Sequence, residues 1–208
     1  MELVIGSRQW SSWSLRAWLA LEHLGIEFAT SVVPLRTPDT QARLAVLSPS
    51  GKVPVLVDGD QRVWDSLAIA EYANELVGGR GWPGDRARRA HARAVAAEMH
   101  AGFGSLRALW PMEAATLGLE VALTRDAARD VERIEGLWQD CRHHYGGEGP
   151  WLFGTWTIAD AMYAPIVLRF RSYGACVSPV CQAYMDEVLE DPAMRTWLAA
   201  AEREISAA

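Results

Sequence analysis

Short apolar runs alternate with amphipathic stretches along the first third of the chain. Four runs have the length and the β-branched content of strands, and they lie at 3–5, 28–33, 54–57 and 62–64. The turn Asp58-Gly59-Asp60 joins the last two as a hairpin. Three stretches with helical period or caps lie between and after the strands, at 12–24, from Thr37-Pro38 to before Pro49, and from Ser66 to the glycines at 78–79. The order β-α-β-α-β-β-α predicts a thioredoxin-like domain.

The hydrophobic pattern changes at residues 78–85, which read GGRGWPGD. Four glycines and a proline in eight residues indicate a domain boundary. Beyond it the strand signal disappears, and helical stretches begin near residues 84, 124, 157, 179 and 192, the first of them running to about Leu109. Helices in succession with short loops predict a bundle. We therefore predict an α/β unit over 1–78, a linker over 79–86 and an all-α C-terminal unit over 87–208.

Composition narrows the function classes. The chain has 208 residues, 50% of them hydrophobic, and a net charge of −6, so it can bury a core and offers no surplus of positive charge for nucleic acid. The N-terminus resembles no signal peptide and no stretch is long enough to cross a membrane, which predicts a cytoplasmic protein without a membrane partner. Three cysteines without a C-x-x-C spacing suggest neither a disulfide framework nor a metal site.

The stretch QWSSWSLR, residues 9–16, lies where the first strand gives way to a helix. Serines at such a place are common helix caps, and they are also common catalytic hydroxyls. The N-terminus of a helix favours a bound anion in either case, because its backbone N–H groups and its dipole point at the ligand.

A second stretch, SGKVPVLVDGDQRVWDSLAIAEY at 50–72, combines two further signals. Pro54 stands at the start of a strand, where a cis peptide bond would expose the backbone of Val53 to a peptide-like ligand. Asp65 and Ser66 stand at the start of the next helix. Either they are an ordinary cap, or they bind the charged end of a ligand, and the proline just upstream favours the second interpretation.

Four motifs, SSWS-L-R, SPSGKVPVL, WDSLAIAEY and TIAD, resemble in order and spacing those of the glutathione transferase family, and the resemblance covers essentially the whole chain. The resemblance is to the serine-type zeta and tau classes. It implies a thioredoxin-like domain followed by a helical bundle, glutathione as co-substrate without a metal, and a homodimer. TIAD, residues 157–160, matches a structural capping box of the bundle.

The resemblance also implies roles for individual residues. Ser11 would hydrogen-bond the glutathione sulfur, with Ser12 as the neighbouring alternative. The remaining roles concern the backbone of the tripeptide and its charged ends. Lys52 would reach the glycyl carboxylate, and Val53, next to a cis Pro54, would pair with the cysteinyl backbone. Asp65 and Ser66 would hold the γ-glutamyl amine and carboxylate. The absence of a cysteine from the first motif favours conjugation or isomerisation over thiol-disulfide exchange.

The second substrate is predicted to be a small apolar electrophile, in a cleft between the two units. The residues we place near it are Trp10, Trp13, Phe103, Arg107 and Trp110, although aromatic residues at helical spacing are also typical of a core. Two alternatives stay open. One is a glutathione-dependent isomerase of the maleylacetoacetate type, although Trp13 and Lys52 depart from the zeta pattern. In that class an arginine near the end of the TIAD helix is expected to bind the substrate's carboxylates; Ser172 stands at the matching position, with Arg169 and Arg171 close to it. The other is a non-catalytic glutathione- or ligand-binding module.

Overall fold

The N-terminal part of the protein is a mixed sheet of four strands in the order β2-β1-β3-β4. In a computed structural model, which describes residues 1–206, the strands are β1 (Glu2–Gly6), β2 (Ala29–Val33), β3 (Val55–Asp58) and β4 (Gln61–Val63). β1 and β2 are parallel, whereas β1–β3 and β3–β4 are antiparallel. The helices of this part are α1 (Ser12–Leu24), α2 (Thr40–Leu47) and α3 (Ser66–Leu76). The predicted thioredoxin-like arrangement is confirmed.

Alternation along β1 assigns its side chains to two layers. Leu3 and Ile5 point into the main core with α1 and α3, whereas Val4 points to the opposite face and packs with Leu44 of α2. α2 begins at Thr40, two residues later than Pro38, the first helical position that the Thr37-Pro38 signal predicts. The Thr40 hydroxyl accepts the backbone N–H of Thr37 at 3.1 Å, so residues 37–39 form a turn before the helix.

The C-terminal part of the described chain is all helical. Its helices are α4 (Arg86–Ala101), α5 (Gly104–Leu109), α6 (Arg125–Tyr145), α7 (Ile158–Tyr173), α8 (Pro179–Glu190) and α9 (Pro192–Ser206), with a 3-10 turn at Gly146–Glu148. The predicted bundle is confirmed, with one correction. The stretch that the pattern reads as one helix to about Leu109 is broken at Gly102 and Phe103, because Phe103 has a left-handed backbone with φ 59°.

One hydrophobic core runs through both parts. It joins the sheet residue Leu3 to Trp138 and Trp197 of the helical part, and the ring of Trp197 lies 5.5 Å from that of Trp18 in α1. Residues 77–85, between α3 and α4, are irregular. The boundaries drawn at 78, 79–86 and 87 stay predictions. None of the helices within residues 1–206 is at once long enough and apolar enough to span a bilayer.

Candidate functional site

The stretch QWSSWSLR forms the connection from β1 to α1. The carbonyl of Ser7 accepts the N–H groups of Trp10 and Ser11 at 3.1 and 2.9 Å, which turns the chain into the helix. Ser11 is the residue before α1, and its hydroxyl donates to Ser14 Oγ at 2.6 Å instead of accepting an N–H of the helix. Ser14 Oγ also accepts the N–H of Gly6 at 3.1 Å. The start of α1 therefore has no side-chain cap among the described residues.

Hydrogen bonds from the C-terminal helical part fix the position of this connection. Gln9 Oε1 accepts the N–H of Ala115 at 2.8 Å, and Gln9 Nε2 donates to Glu113 at 2.7 Å and to Thr116 at 2.9 Å. The Glu113 carboxylate also accepts the indole N–H of Trp10 at 3.0 Å. Two residues directly before Ser11 are thus fixed by the segment 113–116, on the far side of the domain boundary.

A cavity of about 310 Å³ collects most of the residues predicted to bind glutathione. It is lined by Trp13, Ser50, Lys52, Val53, Pro54, Trp64 and Asp65. The Val53–Pro54 peptide bond is cis, as the sequence predicts, and the Trp64–Asp65 bond is also cis. Ser11 and Ser12, which are almost fully buried, are not among the lining residues, and Trp13 is the part of the serine motif that reaches this cavity.

Asp65 uses both of its carboxylate oxygens in the free protein. Oδ1 caps α3 by accepting the N–H groups of Leu67 and Ala68 at 3.1 and 3.4 Å. Oδ2 lies 2.9 Å from Nε2 of His100, which comes from α4. The neighbouring Ser66 hydroxyl is fully buried and has no hydrogen-bond partner within residues 1–206. The two readings of this pair therefore combine: Asp65 is a cap, and the Ser66 hydroxyl is left for another group.

Two arginines stack around the indole ring of Trp13. The guanidinium of Arg16 lies 4.2 Å from the ring centroid and that of Arg107 lies 5.4 Å from it. Arg16 is 1% exposed, and its Nε donates to the carbonyl of Met162 at 3.0 Å. Its two Nη atoms find no partner in the part of the chain that the structure describes. Burial, followed by the charges of Arg169 and Arg107, lowers the pKa of Arg16 to about 9.

Arg169 of α7 completes a group of three arginines, Arg16, Arg107 and Arg169, which we call the arginine cluster. Arg169 is 4% exposed, its Nε donates to the carbonyl of Trp110 at 2.8 Å, and its Nη1 donates to that of Pro165 at 3.1 Å. Its Nη2 lies 3.5 Å from Oγ of Ser12. Burial, followed by the charge of Arg107, lowers the pKa of Arg169 to about 10.

A second cavity, of about 440 Å³ and mostly apolar, borders the other side of the serine motif. Its walls come from the β1–α1 connection, the end of β2 with the segment after it, and the end of α9. The lining residues are Ser7, Gln9, Trp10, Val32, Pro34, Leu35, Arg36, Thr37, Glu204 and Ile205. The guanidinium of Arg36 lies 4.3 Å from the ring centroid of Trp10.

The five residues predicted to lie near the electrophile are not brought into one cavity. Trp10 lines the larger cavity and Trp13 the smaller one. Phe103 and Trp110 belong to the hydrophobic core. Trp110 stacks on Tyr173 at 5.1 Å between ring centroids, and its indole N–H donates to the carbonyl of Val121 at 2.9 Å.

Comparison with known proteins identifies the family. Residues 10–76 match the model of the glutathione S-transferase N-terminal domain. The chain is 35% identical over 177 residues to a probable maleylacetoacetate isomerase of Caenorhabditis elegans, an alignment that covers 81% of this chain and 78% of the relative. The chain belongs to the glutathione transferase family. All seven residues predicted to contact glutathione lie inside the segment that matches the family model.

Solved structures of the family share the fold of this transferase along its whole length. A bacterial maleyl pyruvate isomerase of the zeta class superposes with a TM-score of 0.75 at 23% identity, over 96% of this chain and 98% of that one. A glutathione transferase homologue from Burkholderia, solved with bound glutathione, gives a TM-score of 0.73 at 23% identity, over 97% of this chain and 98% of that one.

The sequence motifs do not indicate Gln9, Glu113 or His100, which hold the site together across the boundary between the two parts. Each is a polar residue more than 30 positions from at least one of its partners, so only tertiary packing brings the groups together. A signal does exist for Arg16 and Arg169. Each interrupts an otherwise apolar run of its helix, in SLRAWLAL and in PIVLRF, which marks a buried charge.

Proposed function

We propose that this family member binds glutathione in the 310 Å³ cavity and transfers its thiolate to a small apolar electrophile. The observation that carries the proposal is the convergence of Lys52, Val53, Pro54 and Asp65 on one cavity beside the uncapped start of α1. Val53 offers backbone groups to the cysteinyl residue, and Lys52 offers a positive charge to the glycyl carboxylate. The similarity to a homologue solved with bound glutathione supports the ligand.

The chemistry needs little from the protein besides orientation and charge. A free thiol has a pKa of about 8.5, and a shift of about 1.5 units, or about 2 kcal/mol, makes half of it thiolate at pH 7. A hydrogen bond to an anion contributes about 1.5–3 kcal/mol, so the hydroxyl of Ser11 or Ser12 at a helix start suffices. The thiolate sulfur then bonds to the electrophilic carbon, and the leaving group departs with the bonding electron pair.

The 440 Å³ cavity is the place we propose for the electrophile. Its walls are mostly apolar, and Trp10 joins it directly to Ser11 in the chain. Trp10 is also held by Glu113, so the aromatic wall has a fixed orientation. Phe103 and Trp110 then act from the core, as support for these walls, and Arg107 acts through Trp13.

Glutathione-dependent cis-trans isomerisation is the second candidate, and two observations favour it. The relative with 35% identity is named a probable maleylacetoacetate isomerase, and a structural neighbour is a maleyl pyruvate isomerase. Arg16 and Arg107 of the arginine cluster lie against Trp13, a wall of the smaller cavity, and their positive charge suits an acidic substrate there. In this reaction the thiolate adds to a carbon of the double bond, the new single bond rotates, and the thiolate leaves again, so that glutathione is regenerated.

The first experiment compares wild type with Ser11→Ala, Ser12→Ala and the double variant. Calorimetry measures glutathione binding, and turnover is measured with a chloronitroarene for conjugation and with maleylpyruvate for isomerisation. We expect the double variant to lose about thirtyfold in kcat/KM with little change in glutathione affinity. Wild type that binds glutathione but turns over neither substrate would favour the non-catalytic binding module. Wild type that binds no glutathione would overturn the proposal.

We also propose that the protein acts as a homodimer in the cytoplasm. Trp64, at the end of the edge strand β4, is 47% exposed, which leaves a large apolar side chain for a partner. The cytoplasm keeps thiols reduced, as the proposed co-substrate requires. Sedimentation of one species of 22.9 kDa would contradict the dimer.

A further inference from the structure

Among residues 1–206 the arginine cluster has no carboxylate counter-ion, and its members Arg16 and Arg169 are buried. No carboxylate lies within ion-pair distance of Arg16, Arg107 or Arg169 in residues 1–206. Asp65 is the carboxylate whose charge acts on Arg16. The oxygen of Asp65 that does not cap α3, Oδ2, already lies next to Nε2 of His100. A buried charge without a partner is costly. A bound anion offsets that cost, and the proposed function supplies one in the glutathione thiolate.

We propose that Arg169 is a positioning residue that acts through Ser12, polarising its hydroxyl so that the proton is directed to the glutathione thiolate. The inference rests on the proposed function, because it needs glutathione in the cavity beside α1. The 3.5 Å between Arg169 Nη2 and Ser12 Oγ is longer than a strong hydrogen bond, so the interaction is mainly electrostatic. The guanidinium faces the Ser12 oxygen, which leaves the hydroxyl proton free to point elsewhere.

Ser11 is less suited to this role in the geometry of the free protein. Its proton is already donated to Ser14 Oγ at 2.6 Å, and Ser14 is itself tied to Gly6. A thiolate has to compete with that bond for the Ser11 proton. The Ser12 hydroxyl proton is not used in this way. Its oxygen accepts the contact from Arg169, and the hydroxyl donates to no group within the described chain.

Arg169 is held rigidly enough to orient another group. Two of its nitrogens are fixed by the carbonyls of Trp110 and Pro165, so the third points at Ser12 without rotational freedom. Trp110 in turn is fixed by stacking on Tyr173. The tryptophan predicted for the electrophile pocket therefore has a role in the same assembly, as the support of the arginine.

The charged side chains that act on Arg16 and Arg169 are other members of the arginine cluster, with Asp65 as the carboxylate that opposes them. Arg16 belongs to α1 itself and Arg107 to α5, and both add to the positive potential of Arg169. Nε2 of His100, from α4, lies 2.9 Å from Oδ2 of Asp65, so this oxygen faces the imidazole and not Arg16. The tyrosine facing Arg16 from α7, Tyr163, has a raised pKa owing to burial and stays neutral.

The test measures the pKa of the bound thiol directly. The ultraviolet absorption of the thiolate is titrated in the complex with glutathione, and the pH profile of kcat/KM is recorded in parallel. We expect the neutral variants Arg169→Met and Arg169→Gln to raise the thiol pKa by about one unit, which lowers kcat/KM about tenfold below that pKa. Arg169→Lys keeps the charge and is expected to shift it by less than half of that amount.

A second pair of variants separates action through Ser12 from a structural role. In the Ser12→Ala background, Arg169→Gln is expected to add no further shift of the thiol pKa. Arg171→Met, two positions along α7 and away from the serines, is the matched control and is expected to leave the titration unchanged. Calorimetric melting reports folding of every variant. Should Arg169→Met unfold, Arg169→Gln can still donate to the Trp110 carbonyl and provides the same measurement.

Two results would overturn the inference while the proposed function stands. One is a wild-type thiol pKa in both neutral variants, and the other is an equal shift in the presence and absence of the Ser12 hydroxyl. Failure of wild type to form a glutathione thiolate at all would instead remove the proposed function, and the inference with it.

Discussion

The helices α1 and α7 each follow a hydroxyl residue, Ser11 and Thr157, but side chains cap only the start of α7 within residues 1–206. At α7, Thr157 and Asp160 form a capping box, and the Asp160 carboxylate accepts the N–H of Thr157 at 2.7 Å, that of Leu152 at 3.1 Å and the Thr157 hydroxyl at 3.1 Å. At α1, the Ser11 hydroxyl turns away from its own helix to Ser14. A helix start that satisfies itself is part of the scaffold. One that is left open, beside unpaired arginines, is suited to a ligand.

The largest expected effect is on the scaffold side of this comparison. Asp160→Ala leaves buried donors at Thr157 and Leu152 without an acceptor, and we expect it to lower the free energy of unfolding by about 3 kcal/mol. Denaturant unfolding followed by circular dichroism measures the loss. Asp160→Asn keeps an acceptor oxygen and is expected to lose less than half as much. Equal losses in both variants would mean that filling the space, and not accepting hydrogen bonds, is what Asp160 contributes.

At the open start the expected pattern is reversed. The Ser11→Ala and Ser12→Ala double variant removes one hydrogen bond between hydroxyls and one long contact, and alanine is a good helix former. We expect its free energy of unfolding to change by less than about 1 kcal/mol, while its kcat/KM falls about thirtyfold. The same denaturant experiment measures the stability. A loss as large as that of Asp160→Ala would erase the distinction between the two helix starts.

The capped start of α7 should also make the stability of the protein depend on pH. Burial raises the pKa of Asp160 from 3.8 to about 6, against the opposing effect of its hydrogen bonds. Between these values the folded state keeps a proton that the unfolded state has released, so this group adds stability as the pH falls through 6. From pH 7 to pH 5 we expect about 1 kcal/mol of added stability in wild type relative to Asp160→Asn. Unfolding curves of both proteins at the two pH values measure the difference. A difference that does not change with pH would show that Asp160 stays ionised over this range.

The smallest expected effect concerns the support of the open start. Glu113→Leu removes the acceptor of Gln9 and Trp10, and we expect kcat/KM to fall about threefold to fivefold because the serine connection loses part of its orientation. Glu113→Gln retains an acceptor oxygen and is the control, with an expected loss of less than twofold. Steady-state kinetics at saturating glutathione measure both. If kcat/KM does not fall in the leucine variant, the hydrogen bonds of Gln9 with Ala115 and Thr116 are sufficient to orient the connection.

The features that the sequence predicts well depend on neighbours along the chain. The order of strands and helices along the chain, the bounds of α1, the start of α3 and the capping box at Thr157 follow from residues within a few positions of one another. The cis Val53–Pro54 bond is what the resemblance to the family implies. The break of the long helix at Phe103 is only partly local. Gly102 and Gly104 weaken the helix there, but they do not specify that the residue between them adopts a left-handed backbone.

The contacts across the domain boundary cannot be predicted from local sequence, because their partners are far apart along the chain. Glu113 meets Gln9, and Arg169 meets Ser12, across more than 100 residues, so no spacing rule connects them. The two cavities also escape sequence reasoning, since their walls come from segments that only the finished packing brings together. Of the five residues predicted for the electrophile, four are therefore divided between the two cavities and the core, and Arg107 lies over the ring of Trp13.

The hydrogen bonds between Gln9 and the segment 113–116 bear on how this protein can be divided or recombined. Residues 1–78 contain the walls of the smaller cavity, yet the connection that precedes Ser11 is anchored on Glu113, Ala115 and Thr116. A chimera that joins this α/β unit to the helical unit of another family member contains the serines, but it lacks the residues that hydrogen-bond to Gln9 and hold the connection in place. The sequence exchanged in such a graft has to include the residues that receive Gln9.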